Sequence, residues 1–149
     1  MSQQDQTLHY FSSHADDWQS KATQSQYSVI DNRHAAVLEV IRRHGKVRRF
    51  LDVGCGTGQL AIAVAKLGIE AKGVDFAPGM IEKCQVNKSQ ARVEVDFQCG
   101  SVFECAFSSA AFDVISAQGF IEYISLEQLD QFLEICNSIL TSGGALALG

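Results

Sequence analysis

Gly54, Gly56 and Gly58 alternate through LDVGCGTGQL, residues 51–60, directly after an apolar run that contains Asp52. Glycine tolerates positive φ and leaves the main chain bare for close approach of a ligand. A helix opening behind such a loop presents unpaired N–H groups to an anionic group. The spacing narrows the choice. A dinucleotide fingerprint, G-x-G-x-x-G, needs glycine where Gln59 stands, and a phosphate-binding P-loop ends in Gly-Lys-Ser/Thr, which is absent here. Asp52 sits poorly beside a pyrophosphate and suits a group carrying both a cation and a carboxylate, as an amino acid does. Asp75 lies 21 residues beyond Gly54, at the end of the next apolar stretch. An acidic residue there typically takes ribose hydroxyls. The pattern asks for a small molecule with an amino-acid end and a nucleoside end.

The elements that must hold these residues can be read from periodicity. Leu8, Phe11, Ala15 and Trp18 fall at helical spacing in a helix expected over 5–21, and Ile30, Val37, Leu38 and Ile41 mark a second over 28–44, stopped by Gly45. From there strand and helix alternate. Strands are expected at 49–53, at 70–76, around Val93, Val95 and Phe97, and at 112–116. Helices are expected over 59–67, over 78–87 with Pro78 in its first turn, and after a Ser125/Gln128 capping box, with Leu129, Phe132, Leu133, Cys136, Ile139 and Leu140 on one core face. TSGG is read as the stop of that helix and ALALG as the start of a fifth strand. Alternation without hairpin signals predicts an α/β fold: a Rossmann-like, doubly wound, mainly parallel sheet preceded by N-terminal helices, with its ligand beyond the carboxyl ends of the strands. The expected division is a helical cap over 1–45 and the sheet domain over 46–149. Because an apolar edge strand wants a neighbour, the chain is expected to be the N-terminal portion of a longer protein, against the alternative of a minimal five-strand protein.

Composition sets outer bounds. The 149 residues suffice for one cored domain, with 46 % apolar and 19 % charged residues. The sequence has neither a membrane-length apolar run nor a signal-peptide h-region. The five cysteines are odd in number and without CxxC spacing, which suits a reducing, cytoplasmic setting. Neither they nor the four histidines show metal-ligand spacing. The net charge of −5 weighs against a nucleic-acid partner. The short basic run RRHGKVRR, residues 42–49, reads as a solvated helix end complementing the helix dipole.

LDVGCGTGQL, GVDFAPGMI, FDVISAQGFIEYIS and ILTSGGALAL, in that order, resemble the class I S-adenosylmethionine-dependent methyltransferases, within the group that includes ubiquinone-biosynthesis-type O-methyltransferases and other small-molecule enzymes. The resemblance covers nearly the whole chain and is firmest over 50–149. It implies S-adenosyl-L-methionine as cofactor and a small-molecule methyl acceptor. It also implies that Gly54, Cys55, Gly56 and Gly58 form the loop against the methionine part, with Asp52 orienting its ammonium. Asp75 would hold both ribose hydroxyls, Phe76 and Met80 would line the adenine, and Ser101, beside Val102, would stand where many relatives carry an aspartate for the adenine amino group. Gln118 and Gly119 would flank the sulfonium. Where relatives often read Glu-His, this chain has Glu122-Tyr123.

Methyl transfer from a sulfonium is an in-line displacement that asks mainly for alignment and exclusion of water. The sequence assigns no general base; His14 and His34 read first as surface or packing residues. Tyr10, Phe11 and Trp18 would form an aromatic lid or would staple their helix to the core. Cys55, at a helix start, reads as a small residue filling a tight loop. The rival functions are a non-catalytic module binding the same cofactor, an RNA methyltransferase and a nicotinamide dehydrogenase.

Overall fold

From Arg49 onward strands and helices alternate, and every strand pairs in parallel in a sheet of order β3-β2-β1-β4-β5. The structure is a computed structural model and describes residues 2–18 and 29–149. Its strands are β1 (Arg49–Val53), β2 (Glu70–Asp75), β3 (Asp96–Cys99), β4 (Phe112–Ala117) and β5 (Leu140–Leu148). Its helices are α1 (Gln3–Ser13), α2 (Val29–His44), α3 (Gln59–Ala65), α4 (Pro78–Ala91) and α5 (Leu126–Ile139), with a 3-10 turn at Ile121–Tyr123. The expected doubly wound parallel architecture is thus the one found. Among the described residues no helix is long and apolar enough to cross a membrane.

Helices cover both faces of the sheet. On one, Val37 and Ile41 of α2, Leu60, Ala61 and Val64 of α3 and Cys84 of α4 pack on Phe50, Ala71, Phe97 and Val114. On the other, Phe132, Cys136 and Ile139 of α5 pack on Leu51, Val53, Val74 and Ile115. Burial on both faces explains why β1 and β4 read as unbroken apolar runs. The Ser125–Gln128 capping box closes reciprocally and opens α5 as expected, each side chain bonding the other's main-chain N–H at 3.0–3.1 Å.

Several boundaries differ from the sequence reading, each for a local reason. The first helix breaks at His14, because Ser13 Oγ donates to the His9 carbonyl at 2.7 Å and the His14 ring bonds the Tyr10 carbonyl at 2.8 Å. Side chains there compete for the helix's own acceptors. Residues 15–18 are helical again, and the rest of the expected span lies outside the described residues. The helix α3 stops at Ala65 as Leu67 and Gly68 turn back onto the Val64 and Ala65 carbonyls. By contrast α4 runs four residues past its expected end at 87, to Ala91, where Arg92 closes it at φ +56°. In β3 the ladder begins only at Asp96, opposite Lys72, so Val93 and Val95 precede it.

TSGG does not separate helix from strand but lies within β5. Phe112 pairs with Leu140 while Val114 pairs with Ala145, so Asp113 alone faces residues 141–144 across a large bulge. The Asp113 carboxylate accepts from the Thr141 hydroxyl at 3.0 Å and from the Arg48 and Arg49 N–H groups at 2.8 and 3.0 Å, tying the bulge to the start of β1. Gly58, which caps α3 at φ +84°, turns toward the core, where a Cβ would stand 2.6 Å from Phe97 Cζ and 3.0 Å from Cys84 Sγ. Overpacking and strain combine at that position. Gly58→Ala is expected to destabilise the fold by about 2–4 kcal/mol, read as a lower urea midpoint at unchanged slope.

Candidate functional site

At the carboxyl ends of β1, β2 and β4 the sheet opens into a cavity of about 570 Å³. Strand register sets one wall residue, Asp52, in a row of side chains just beneath the cavity. Gly73, Asp52 and Ser116 lie side by side on β2, β1 and β4, with Phe97 and Ala147 completing the row on the outer strands. Parallel in-register pairing puts these side chains on one face, and it is the face covered by α2. Asp52 is 4 % exposed and Ser116 fully buried. Gly73 leaves room for the loop, since a Cβ there would meet Phe97 at 2.8 Å and Cys55 Cβ at 3.0 Å.

The glycine loop is held by Asp75. Its Oδ2 accepts from the Gly56 N–H at 2.9 Å and its Oδ1 from the Ala77 N–H at 3.0 Å, while the Gly54 and Cys55 N–H groups donate to the Val74 carbonyl at 2.9 and 3.0 Å. One carboxylate thereby joins the turn after β1 to the turn after β2. A carboxylate offers about four acceptor positions, so two more remain for hydroxyl donors.

The three glycines divide their work. Only Gly56 leaves its bare side toward the cavity, with Trp18 Nε1 the nearest atom at 3.7 Å from a Cβ built there. Gly54 instead makes room for the Phe120 ring at 3.5 Å, and Gly58 faces Phe97. Of the residues singled out by sequence, Asp52, Gly54, Cys55, Gly56, Asp75, Phe76, Met80, Ser101, Val102, Gln118 and Gly119 all line the cavity; Gly58 does not. Ser101 Oγ already accepts from the Phe103 N–H at 3.3 Å, leaving its O–H to donate and a lone pair to accept. The Gln118 amide donates to the Ala147 carbonyl at 3.0 Å, which turns it toward β5.

Cys55 and Cys84 are buried with their sulfurs 4.0 Å apart, and Cys84 Sγ donates to the Gly56 carbonyl at 3.1 Å. Contact with the Cys84 thiol, burial and the nearby acids push the Cys55 thiol well above its ordinary range. Its side chain fills the tight loop against Gly73 and Cys84.

Sequence reasoning passed over Arg33. It sits one helical turn before Val37 and two before Ile41, on the buried side of α2, a spacing that marks it as a polar residue on a core face. Its guanidinium lies over Gly119, with Nη1 2.9 Å and the Glu122 carboxylate 3.4 Å from where a Gly119 Cβ would stand. Phe120 was also missed. The aromatic residues of the N-terminal segment close the cavity from above: Phe11 meets Tyr123 edge-on at 5.4 Å and Trp18 at 5.9 Å, while Tyr10 turns away onto His14 at 4.4 Å. His34 lies on the cavity wall; His14 does not.

The electrostatics at the strand ends are unusual. Burial raises the Asp52 carboxyl to about 7, with the neighbouring Ser116 hydroxyl pulling it down and the Asp75 charge pushing it up. Ser116 Oγ nonetheless closes no hydrogen bond of good geometry. Burial lifts Asp75 to about 6 against its two main-chain donors. Among the described residues no cation forms an ion pair with either acid. A buried carboxylate without a counter-ion among the described residues fits a ligand that brings a cationic group to the end of β1.

Residues 50–144 match the family described as "Methyltransferase domain". Among curated relatives, the chain is 32 % identical over 101 residues to a ubiquinone biosynthesis O-methyltransferase of Xanthomonas axonopodis pv. citri, covering 67 % of this chain and 41 % of that one. The namesake from Chromobacterium violaceum is 27 % identical over 137 residues, covering 90 % and 57 %. The chain therefore spans about half the length of these relatives. Among solved structures, magnesium protoporphyrin IX methyltransferase from Synechocystis PCC 6803 with bound SAM superposes with TM-score 0.77 at 16 % identity, over 94 % of this chain and 73 % of that one.

The raised acid at β1 has a measurable cost. A carboxyl whose folded pKa lies above its unfolded value of 3.8 stabilises the fold fully at low pH, and that contribution is lost as pH rises through about 7. Asp52→Asn is therefore expected to raise stability at pH 8 by about 1–3 kcal/mol and to leave it nearly unchanged at pH 4. Paired urea titrations at the two pH values read the difference.

Proposed function

The chain belongs to the methyltransferase domain family, and from that premise we propose that its cavity binds S-adenosyl-L-methionine for methyl transfer to a small-molecule acceptor. The observation that carries the reading is the buried Asp52 carboxyl, raised to about 7 and lacking an ion-paired cation among the described residues, one strand away from an acid at the end of β2. An amino-acid ammonium answers the first and a ribose diol the second. A dinucleotide phosphate would add negative charge beside both.

In this reading Asp52 takes the ammonium end and Arg33 the carboxylate, an arginine being suited to that planar partner. Gly56 lets the main chain touch the ligand. Asp75 accepts from the ribose hydroxyls with its two remaining positions, Phe76 and Met80 flank the base, and Ser101 offers it a hydroxyl. When bound, the cofactor supplies a methyl group on a positively charged sulfur. The chain's part is to hold the acceptor in line and keep water out, for which Phe11, Trp18 and Tyr123 form an aromatic roof. Residues 1–45 then serve as the cap and 46–149 as the cofactor-binding unit. The acceptor enters between that roof and Glu122, and a cytoplasmic setting suits the free cysteines.

Calorimetric titration with S-adenosylhomocysteine, with NAD in parallel, tests the cofactor. Binding of the first alone is expected, and Asp75→Ala is expected to weaken it about thirtyfold or more by removing both the diol acceptor and the loop tie. Binding of NAD instead, or an unaltered affinity in Asp75→Ala, would overturn the reading. Affinity is expected to fall about tenfold between pH 8 and pH 6 as Asp52 takes up a proton. Labelled methyl passing from the cofactor into a small-molecule fraction, and not into added RNA, tests the transfer.

A further inference from the structure

The roof over Gly56 is placed by a contact some distance from it. Gly79, the second residue of α4, has no space for a side chain: a Cβ there would stand 2.3 Å from the Ser12 carbonyl oxygen and 2.9 Å from both its carbonyl carbon and its Cα. These are main-chain atoms and cannot rotate aside, so α1 would have to lift by roughly 1 Å to restore ordinary contact. Around this seat Ala15, Ala77 and Met80 form a small core of their own, with Leu8 and Phe11 packed against it. Lys83 pairs with Asp16 at its edge. The segment anchored there carries Phe11 and Trp18 into the cavity, Trp18 lying over Gly56.

The same seat holds a flaw. Ser12 Oγ is buried there without a hydrogen-bond partner among the described residues. A hydroxyl so placed regains its hydrogen bonds only when the segment lifts into water, so it favours the open arrangement.

We propose that Gly79 is a positioning residue for the proposed site, seating the 2–18 strap by backbone contact at Ser12, and that the buried Ser12 hydroxyl keeps this seat weak enough for the strap to lift and admit a ligand. The inference rests on the cavity's binding S-adenosylmethionine-like molecules only where affinity is read. The seat itself is read without ligand.

Trp18 is the single tryptophan of the chain, so the fluorescence of this 149-residue chain reports the strap directly. Gly79→Ala is expected to red-shift Trp18 emission in the ligand-free protein and to weaken S-adenosylhomocysteine about tenfold through a smaller closed population. Its Tm should fall only modestly, because the loss is confined to the small core at the seat and the sheet core is untouched. Ser12→Ala should act in the opposite sense, with blue-shifted emission and slower S-adenosylhomocysteine dissociation in stopped flow. The proposal is overturned if Gly79→Ala changes neither emission nor affinity, if its affinity falls only in step with its Tm, or if Ser12→Ala moves the readouts in the same direction. If wild-type protein fails to bind S-adenosylhomocysteine, the cofactor reading fails, while the ligand-free emission of the two variants still decides the seat.

Discussion

The Asp75 carboxylate, shared between the Gly56 and Ala77 N–H groups, is the interaction on which the site's shape depends. Without it the turn after β1 would be held to β2 and α4 by the Val74 carbonyl and by the Cys84 and Asn87 side chains on the Gly56 and Thr57 carbonyls, and its Gly56 N–H would lose its acceptor. A tight glycine loop is conformationally costly to order. Here one acid from the neighbouring strand fixes it, and the same acid faces the cavity. The acid that faces the cavity and the scaffold of the loop are therefore one residue, so the bare main chain at Gly56 is held in place by the chain's own hydrogen bonds.

The row beneath it is built by register rather than by loops. Parallel pairing sets Asp52 beside Ser116 and Gly73, so a carboxyl, a hydroxyl and a gap share one row of the sheet. Rigid strands hold such groups more closely than flexible connections would. The cost is electrostatic: Asp52 and Asp75 are both buried and both raised. Stability given up at a site is common where function needs charge out of water, and a bound cation would return it by mass action.

Much of this was legible in the sequence, and the parts that were not share a cause. Period-2 and period-3.6 patterns revealed the alternating strands and helices because each buries a continuous face. The glycine spacing with Asp52 and Asp75 located the cavity because those residues close adjacent strands. What escaped depends on partners distant in sequence. Gly58 looked like a ligand-facing glycine, yet its neighbour is Phe97 on β3. Arg33 faces the cavity because α2 brings it against Gly119, 86 residues further along the chain, and nothing near it in sequence says so. Cys55 showed no thiol nearby in sequence, although Cys84 lies 4.0 Å away in space. The break at His14 was legible in principle, since serine beside histidine offers the backbone other partners.

The bulge in β5 bears on how this sheet tolerates change. Asp113 faces residues 141–144, and beyond them the ladder resumes with Ala145 opposite Val114 and continues to Ala147 opposite Ser116. His44 bonds the Gly143 carbonyl at 3.0 Å, so the excursion is pinned from outside as well as within. Slack of this kind uncouples segment length from alignment. A residue gained or lost between Thr141 and Gly144 would be taken up in the excursion, and the strand would still deliver Ala147 to the row that holds Asp52.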